Sequence, residues 1–78
     1  MPGTAVEIVD ARGKSCPVPV TDLARVLAEV PVGTEVVVLA DDPGARVDIP
    51  VWCRLRSQSF LGAEPGEVGW RFRVRRAS

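Results

Sequence analysis

The sequence contains no histidine, only two cysteines and no net charge. Without histidine, the chain cannot supply a Cys–His catalytic pair, a histidine general base or a histidine metal ligand. Two cysteines alone cannot complete a tetrahedral zinc site, so we expect no metal and no other cofactor. Ten basic residues balance ten acidic ones, so no overall field would draw the chain to nucleic acid or to an anionic membrane.

Long apolar runs are also lacking. The longest, residues 36–40, is far shorter than the roughly 20 residues that a membrane-spanning helix needs. Residues 1–4 have neither the basic nor the apolar region of a secretory signal. We therefore expect a cytoplasmic protein with reduced cysteines and no membrane contact. The 78 residues, 46% of them apolar, suffice for a single domain over 1–78 with a core at about 5–76, and we expect a monomer in isolation.

The first half of the chain predicts a strand, a helix and a strand. Residues 5–10 alternate, with Val6 and Ile8 on one side and Glu7 on the other. The next segment has apolar residues at helical spacing, and its first turn holds Pro17 and Pro19. Its apolar face consists of Val20, Leu23, Ala24, Leu27 and Val30, and its polar face of Asp22, Arg25 and Glu29. Residues 35–40 are an apolar, β-branched run typical of a central strand.

The second half predicts a helix followed by two strands. Asp48 can cap the helix, with Pro50 in its first turn. The apolar face of this helix consists of Ile49, Trp52, Cys53 and Leu55. Residues 60–64 predict a short strand, and residues 70–75 predict the last one, because apolar side chains alternate there with arginines.

The predicted order is therefore β-α-β-α-β-β. Two crossovers favour parallel pairing of neighbouring strands, and the last two strands should form an antiparallel hairpin. This pattern predicts the α/β (α+β) class, as a two-layer sandwich with a mixed four-stranded sheet and both helices on one face.

Cys16 is the candidate reactive residue, because it lies at or beside the N-cap of the first helix. The partial positive charge of a helix N-terminus favours thiolate, and Lys14 adds a positive charge. Pro17 and Pro19 have no N–H, which leaves Val18 as the main donor for the sulfur. We expect a pKa moderately below the cysteine reference of about 8.5. An inert cysteine in a turn is the alternative that position alone leaves open.

Four short segments occur in a recognisable order. Residues 13–19 contain a Cys-Pro-x-Pro signature at Cys16–Pro19. The other three are Val9-Asp10-Ala11, Asp41-Asp42-Pro43 and Asp48-Ile49-Pro50. In order and intervals they resemble the TusA-like (SirA-like) sulfur-carrier, or sulfurtransferase, family over about residues 5–76. Members often carry Gly-His late in the second helix, where this chain has Ser57-Gln58.

The resemblance implies a two-layer α/β sandwich that carries sulfane sulfur as a persulfide on Cys16, with Lys14, Pro17 and Pro19 shaping its surroundings. It implies a protein donor, either a cysteine desulfurase or a rhodanese-like protein, and a protein acceptor. The resemblance does not distinguish between tRNA thiolation, molybdenum cofactor assembly and sulfur metabolism as the pathway. It also leaves open whether the carrier is an enzyme. Thiolate attack on sulfur needs no histidine base or cofactor. The alternative is a non-catalytic interaction or regulatory domain with a structural or redox-sensing Cys16.

Two other features have simpler interpretations. Cys53 adjoins Trp52 on an apolar face, so we expect a packing residue rather than a relay thiol. The arginine row of the last strand can be the solvated face of a one-sided sheet, with its positive charge offset by Glu7 and Glu35. It can also be a docking surface for an acidic partner. This row consists of Arg71, Arg73 and Arg75. Nucleic-acid binding by the row is disfavoured by the neutral net charge, so we expect no sequence-specific nucleic-acid contact.

Overall fold

The computed structural model of the chain describes residues 5–78. Its elements are β1 (Val6–Asp10), α1 (Val18–Glu29), β2 (Glu35–Ala40), α2 (Ala45–Leu55), β3 (Ser59–Pro65) and β4 (Trp70–Arg75). The strands form one mixed sheet in the order β1-β2-β4-β3, with both helices packed on one face. The predicted sandwich is confirmed. None of the helices in residues 5–78 has the length and apolar character needed to cross a membrane.

Strand pairing departs from expectation at one place. β1 and β2 pair in parallel, and β3 and β4 form the predicted antiparallel pair. β3 does not lie beside β2, because β4 is inserted between them and runs antiparallel to both. The edges of the sheet are therefore β1 and β3.

The core lies between the sheet and the helices. In the register of β2 with β4, Val36 lies opposite Val74 and Val38 lies opposite Phe72, and all four side chains are fully buried. The helices contribute Leu23, Leu27, Ile49 and Cys53. Full burial of a valine, leucine, isoleucine or phenylalanine side chain stabilises the fold by about 1.5–3 kcal/mol, so this layer is the main source of stability.

The alternation of β1 places Val6 and Ile8 on the same side, as predicted, but this is the open face of the sheet. Val6 is 50% and Ile8 68% exposed, whereas Val9 is buried. The register explains the difference, because Val9 lies opposite the buried Val38. The helices thus cover only one face, and the other keeps apolar side chains in contact with solvent.

The second helix starts earlier than predicted. Its N-cap is Gly44, so Asp48 is the fourth helical residue rather than the cap, and Pro50 lies inside the helix. The local bonds explain the early start, because Asp42 O accepts the Ala45 N–H at 3.0 Å and Asp42 Oδ1 accepts the Gly44 N–H at 3.1 Å. The turn before the helix therefore fixes its first residue.

Two helical side chains lie on the opposite side from that predicted. Asp22 was assigned to the polar face of α1 but is only 6% exposed, because Lys14 and Arg25 each bind its carboxylate at 3.1 Å. Leu55 was assigned to the apolar face of α2 but is 76% exposed at the last residue of that helix. Apolar spacing alone did not reveal either placement.

The arginine row of β4 lies on the open face and is partly neutralised. Arg73 donates two hydrogen bonds to Glu35, at 2.8 and 3.2 Å, which lowers the pKa of this carboxyl below its usual value. Arg71 is 3.8 Å from Glu64. The prediction that Glu35 offsets the positive charge of the arginine row is confirmed. The same prediction for Glu7 is wrong, because Glu7 points to the helix-covered side of the sheet.

Candidate functional site

Cys16 lies where the two parallel strands end and both helices begin. The Ala11 N–H donates to Leu39 O at 2.8 Å, and the Gly13 N–H donates to the Asp41 carboxylate at 3.0 Å. These bonds tie the segment between β1 and α1 to the end of β2. Cys16 directly precedes the N-cap of α1, and it lies beside the turn that leads into α2.

Asp42 connects the Cys16 segment to α2. Its Oδ2 accepts the Cys16 N–H at 2.6 Å, and its Oδ1 accepts the Gly44 N–H. These two backbone bonds hold the pKa of Asp42 below its usual value, so a full negative charge stands beside Cys16. The sequence placed Asp42 in one of the four family segments but gave it no role at the site. Its fixed interval from the Cys-Pro-x-Pro signature was the available signal for a role at the site.

Gly44 allows the start of α2 to approach Cys16 closely. A Cβ atom added to Gly44 would lie 3.4 Å from the Cys16 Cβ, tighter than most such contacts. Cys16 is half-buried and packs against the core. The start of α2 therefore covers one side of the thiol and leaves the rest within reach of another molecule.

The Cys16 thiol is less acidic than the sequence predicts. Desolvation, followed by hydrogen bonding to Asp48 and the charges of Asp48 and Asp42, raises its pKa to about 11. The expectation of a lowered pKa is wrong. At neutral pH the carboxylates and the partial burial keep the thiol protonated.

The groups that were expected to favour thiolate have other partners. Pro17 and Pro19 have no N–H, and the Val18 N–H donates to Ser15 O at 2.9 Å. The Lys14 ammonium group forms an ion pair with the Asp22 carboxylate, so its positive charge is already neutralised. The helix N-terminus therefore offers the thiolate little stabilisation against two nearby carboxylates.

We expect the alkylation rate of Cys16 to keep rising with pH toward the pKa of about 11, because only the thiolate reacts. Asp48→Asn removes one carboxylate and should move the midpoint of the pH–rate curve to lower pH. If the pKa of Cys16 falls by about 1, the thiolate fraction at neutral pH rises about tenfold. Rates with iodoacetamide would be measured in a Cys53→Ala background, since burial also raises the pKa of Cys53 to about 11. The control is Glu29→Gln, at the other end of α1. A midpoint below that of an ordinary cysteine, or one that Asp48→Asn leaves in place, would contradict this interpretation.

The far end of α2 holds the remaining features that the sequence singled out. Cys53 is 1% exposed, which confirms its interpretation as a packing residue. Ser57 has φ of 57°, a left-handed conformation that glycine adopts most easily. Gln58 Oε1 accepts the Ala77 N–H at 2.7 Å and so holds the C-terminal segment. Ser57 and Gln58 follow α2, whereas Cys16 contacts its start, so the departure from the Gly-His pattern lies away from the thiol.

The structure brings only some of the candidate residues together. Lys14, Pro17 and Pro19 lie near Cys16 in the chain, but Lys14 pairs with Asp22 and Pro19 is fully buried in the first turn of α1. The arginine row lies on the open face of the sheet, away from the helix-covered side against which Cys16 packs. The site near the thiol is therefore acidic rather than basic.

Comparison with known proteins gives a family match, and many curated proteins also match the chain. A family model described as "Sulfurtransferase TusA" matches residues 7–76. A relative from Archaeoglobus fulgidus, named "Putative sulfur carrier protein", is 35% identical over 69 residues, which cover 88% of this chain and 94% of the relative. The family model spans the Cys16 segment, both helices and, except for Val6 of β1, all four strands.

Proposed function

Because this chain belongs to the TusA sulfurtransferase family, we propose that it carries sulfane sulfur as a persulfide on Cys16. The observation that carries this proposal is the placement of Cys16 in the Cys-Pro-x-Pro signature, reachable at the junction of both helices, while Cys53 is enclosed in the core. Incubation with a cysteine desulfurase and cysteine, followed by intact mass measurement, tests it. One added sulfur atom is expected.

The proposed reaction is an exchange of one sulfur atom between thiols. The Cys16 thiolate attacks the terminal sulfur of a donor persulfide; the new bond joins Cys16 Sγ to that sulfur, and the S–S bond of the donor breaks. The electron pair of the broken bond leaves on the donor sulfur, which takes up the proton that Cys16 lost. A second exchange moves the sulfur to an acceptor thiol and returns Cys16 to its starting state. The sulfane sulfur keeps its oxidation state, so no external oxidant or reductant is needed.

The environment of Cys16 suits a carrier that reacts only on a partner. A protonated thiol reacts slowly with small oxidants and electrophiles, because the thiolate is the reactive form. Redox-sensing cysteines are usually acidic and exposed. The raised pKa of Cys16 therefore argues against the redox-sensing alternative, and the proposed transfer requires Cys16 to lose its proton on the partner before it attacks the persulfide.

The proposal includes the setting in which the chain works. The donor is a cysteine desulfurase or a rhodanese-like protein, and the acceptor is a protein thiol. We place the exchange in the cytoplasm, where thiols remain reduced. We also propose that residues 1–78 act as one sulfur-carrier domain with a core over about residues 5–76.

The arginine row offers a second surface for a protein donor. We expect the double variant Arg71→Glu/Arg75→Glu to form a persulfide with inorganic polysulfide as the native chain does, but to accept sulfur severalfold more slowly from the donor protein. The reason is the loss of attraction to an acidic partner, which should also weaken the dependence of the rate on salt. Arg73 is left in place because it neutralises Glu35.

The control for this variant is Arg54→Glu/Arg56→Glu, which makes the same change of charge at the end of α2. Transfer rates from the donor protein would be compared at low and high salt. If both variants transfer sulfur alike, the arginine row is only a solvated face.

A further inference from the structure

The face of α2 that approaches Cys16 continues along the helix as an exposed surface. The approach is made at Gly44, whose carbonyl oxygen accepts the N–H groups of Val47 at 3.1 Å and of Asp48 at 2.9 Å. Residues three, four and seven positions after Gly44 share its side of the helix, and helical side chains tilt back toward the N-terminus. Val47 and Asp48 therefore border the thiol, and Val51 extends this border by one turn. These three residues are called the α2 patch below.

The two valines of the α2 patch are exposed to solvent. Val47 is 64% and Val51 40% exposed, while α2 packs against the core through Ile49 and Cys53. The valines thus form a second apolar face of the helix, which nothing within residues 5–78 covers. Leu55 continues this row, but it lies about 16 Å along the helix from Gly44, too far for a contact centred on the thiol.

The polar groups beside the thiol are carboxylates without a cation. Asp48 is exposed, and neither Asp48 nor Asp42 forms an ion pair within residues 5–78. Desolvation and, after it, these two carboxylates raise the pKa of Cys16, so the free chain holds a protonated thiol. Sulfur transfer therefore needs a group that offsets the carboxylates when the thiol reacts. A cation supplied by another protein has this effect, because a positive charge nearby favours thiolate.

We propose that the α2 patch docks the protein that delivers sulfur to Cys16, and that this partner presents a cationic side chain within an apolar surface. In the complex the partner cation pairs with Asp48, and apolar groups of the partner cover the two valines. The inference rests on the proposed carrier function and adds to it the docking surface and the chemistry of the donor.

The reaction itself selects the occupant of the α2 patch. Transfer requires the donor sulfur to reach bonding distance of Cys16 Sγ, so the donor must contact the rim of the thiol, which α2 forms on one side. Charge disfavours a second copy of this chain, because twofold pairing of the α2 patch would bring each Asp48 toward the same carboxylate of the other copy. A partner with a cation meets both conditions.

Docking of this kind would also prime the transfer. The partner cation offsets the charge of Asp48 and so lowers the pKa of Cys16, which releases its proton on the partner. The thiolate then attacks the donor persulfide, and the thiolate that leaves the donor takes up that proton. Cys16 is therefore reactive while docked and unreactive while free.

Val47→Ser tests the apolar part of the α2 patch. Serine has nearly the same helix propensity as valine, so α2 should persist. Loss of one covered valine should slow sulfur transfer from a cysteine desulfurase with cysteine about tenfold. The rate with inorganic polysulfide, which needs no docking, reports on the thiol itself. Val32→Ser is the matched control, because Val32 is 62% exposed in the turn between α1 and β2. Leu55→Ser should behave like this control, whereas equal transfer by Val47→Ser and Val32→Ser would overturn the docking surface.

Asp48→Asn tests the cationic group of the partner. In the free chain this variant should react faster with polysulfide, because removal of a carboxylate favours thiolate. It should nevertheless accept sulfur severalfold more slowly from the desulfurase, because the partner cation stays unpaired in the contact. Asp48→Glu keeps the charge and should transfer sulfur at nearly the native rate. If Asp48→Asn raises both rates together, Asp48 only suppresses the thiolate and the proposal is overturned.

The native chain separates this inference from the carrier function. If it takes up no sulfur from either polysulfide or the desulfurase, both proposals fall. If it accepts sulfur from the desulfurase, and Val47→Ser and Asp48→Asn transfer as their controls do, the carrier function stands and only the docking surface is overturned.

Discussion

Cys16→Ser should abolish sulfur acceptance while the fold persists. A serine hydroxyl is close in size to the thiol but cannot attack persulfide sulfur or hold a stable sulfur atom under these conditions. Cys16 is half-buried and its backbone N–H still reaches Asp42, so little stability should be lost. The measurement is the mass of the intact protein after incubation with a cysteine desulfurase and cysteine, with peptide mapping to locate the added sulfur.

Cys53→Ala is the matched control, because it removes the other thiol. It should still accept one sulfur atom, but it should lose about 1–2 kcal/mol of unfolding free energy, since the Cys53 side chain is enclosed in the core. Persulfide formation by Cys16→Ser, or a stable Cys53→Ala variant that accepts none, would remove the assignment of the carrier position to Cys16.

Gly69→Ala should destabilise the chain more than a methyl addition at any other glycine of residues 5–78. Gly69 has φ of 76°, and an added Cβ would overlap Ala40 O and lie 2.6 Å from Asp41 Cα. A left-handed alanine costs at least about 1 kcal/mol, and overpacking adds about 1–3 kcal/mol. We expect a loss of about 3 kcal/mol, which lowers Tm by about 12–24 °C in a domain of this size.

Gly66→Ala, in the same β3–β4 turn, is the control. Its added Cβ would have no neighbour closer than 3.6 Å, an ordinary contact, so stability should change by less than about 1 kcal/mol. Thermal and urea unfolding of both variants would measure the difference. A Gly69→Ala variant as stable as Gly66→Ala would show that the end of β2 can move away from the turn. Because Asp41 binds the Gly13 N–H, such movement would also reach the Cys16 segment.

Much of the fold could be predicted because its signals are local. Alternation identifies β4, where Phe72 and Val74 are buried and the arginines are not. Helical spacing identifies α1, with Leu23 and Leu27 in the core. The order of these elements then restricts the sheet to a few topologies. The order of the strands within the sheet was less certain, because the insertion of β4 beside β2 depends on contacts between distant segments.

The candidate site shows the same division. The family pattern and the helix start point to Cys16, and both are readable in the sequence. The state of its thiol was predicted wrongly, because the helix N-terminus and Lys14 were the only neighbours that the sequence placed nearby. Folding brings Asp42 and Asp48 to the thiol from the segment after β2, and it pairs Lys14 with Asp22.

By itself, the sequence determined the order of strands and helices, the arginine-alternating strand β4 and the position of the candidate cysteine, because these follow from backbone preferences and the spacing of neighbouring residues. Only the tertiary structure decided which strands are edges, which face of β1 meets solvent and how acidic Cys16 is. Burial and electrostatic interactions depend on distances in space, and residues far apart in the chain set those distances.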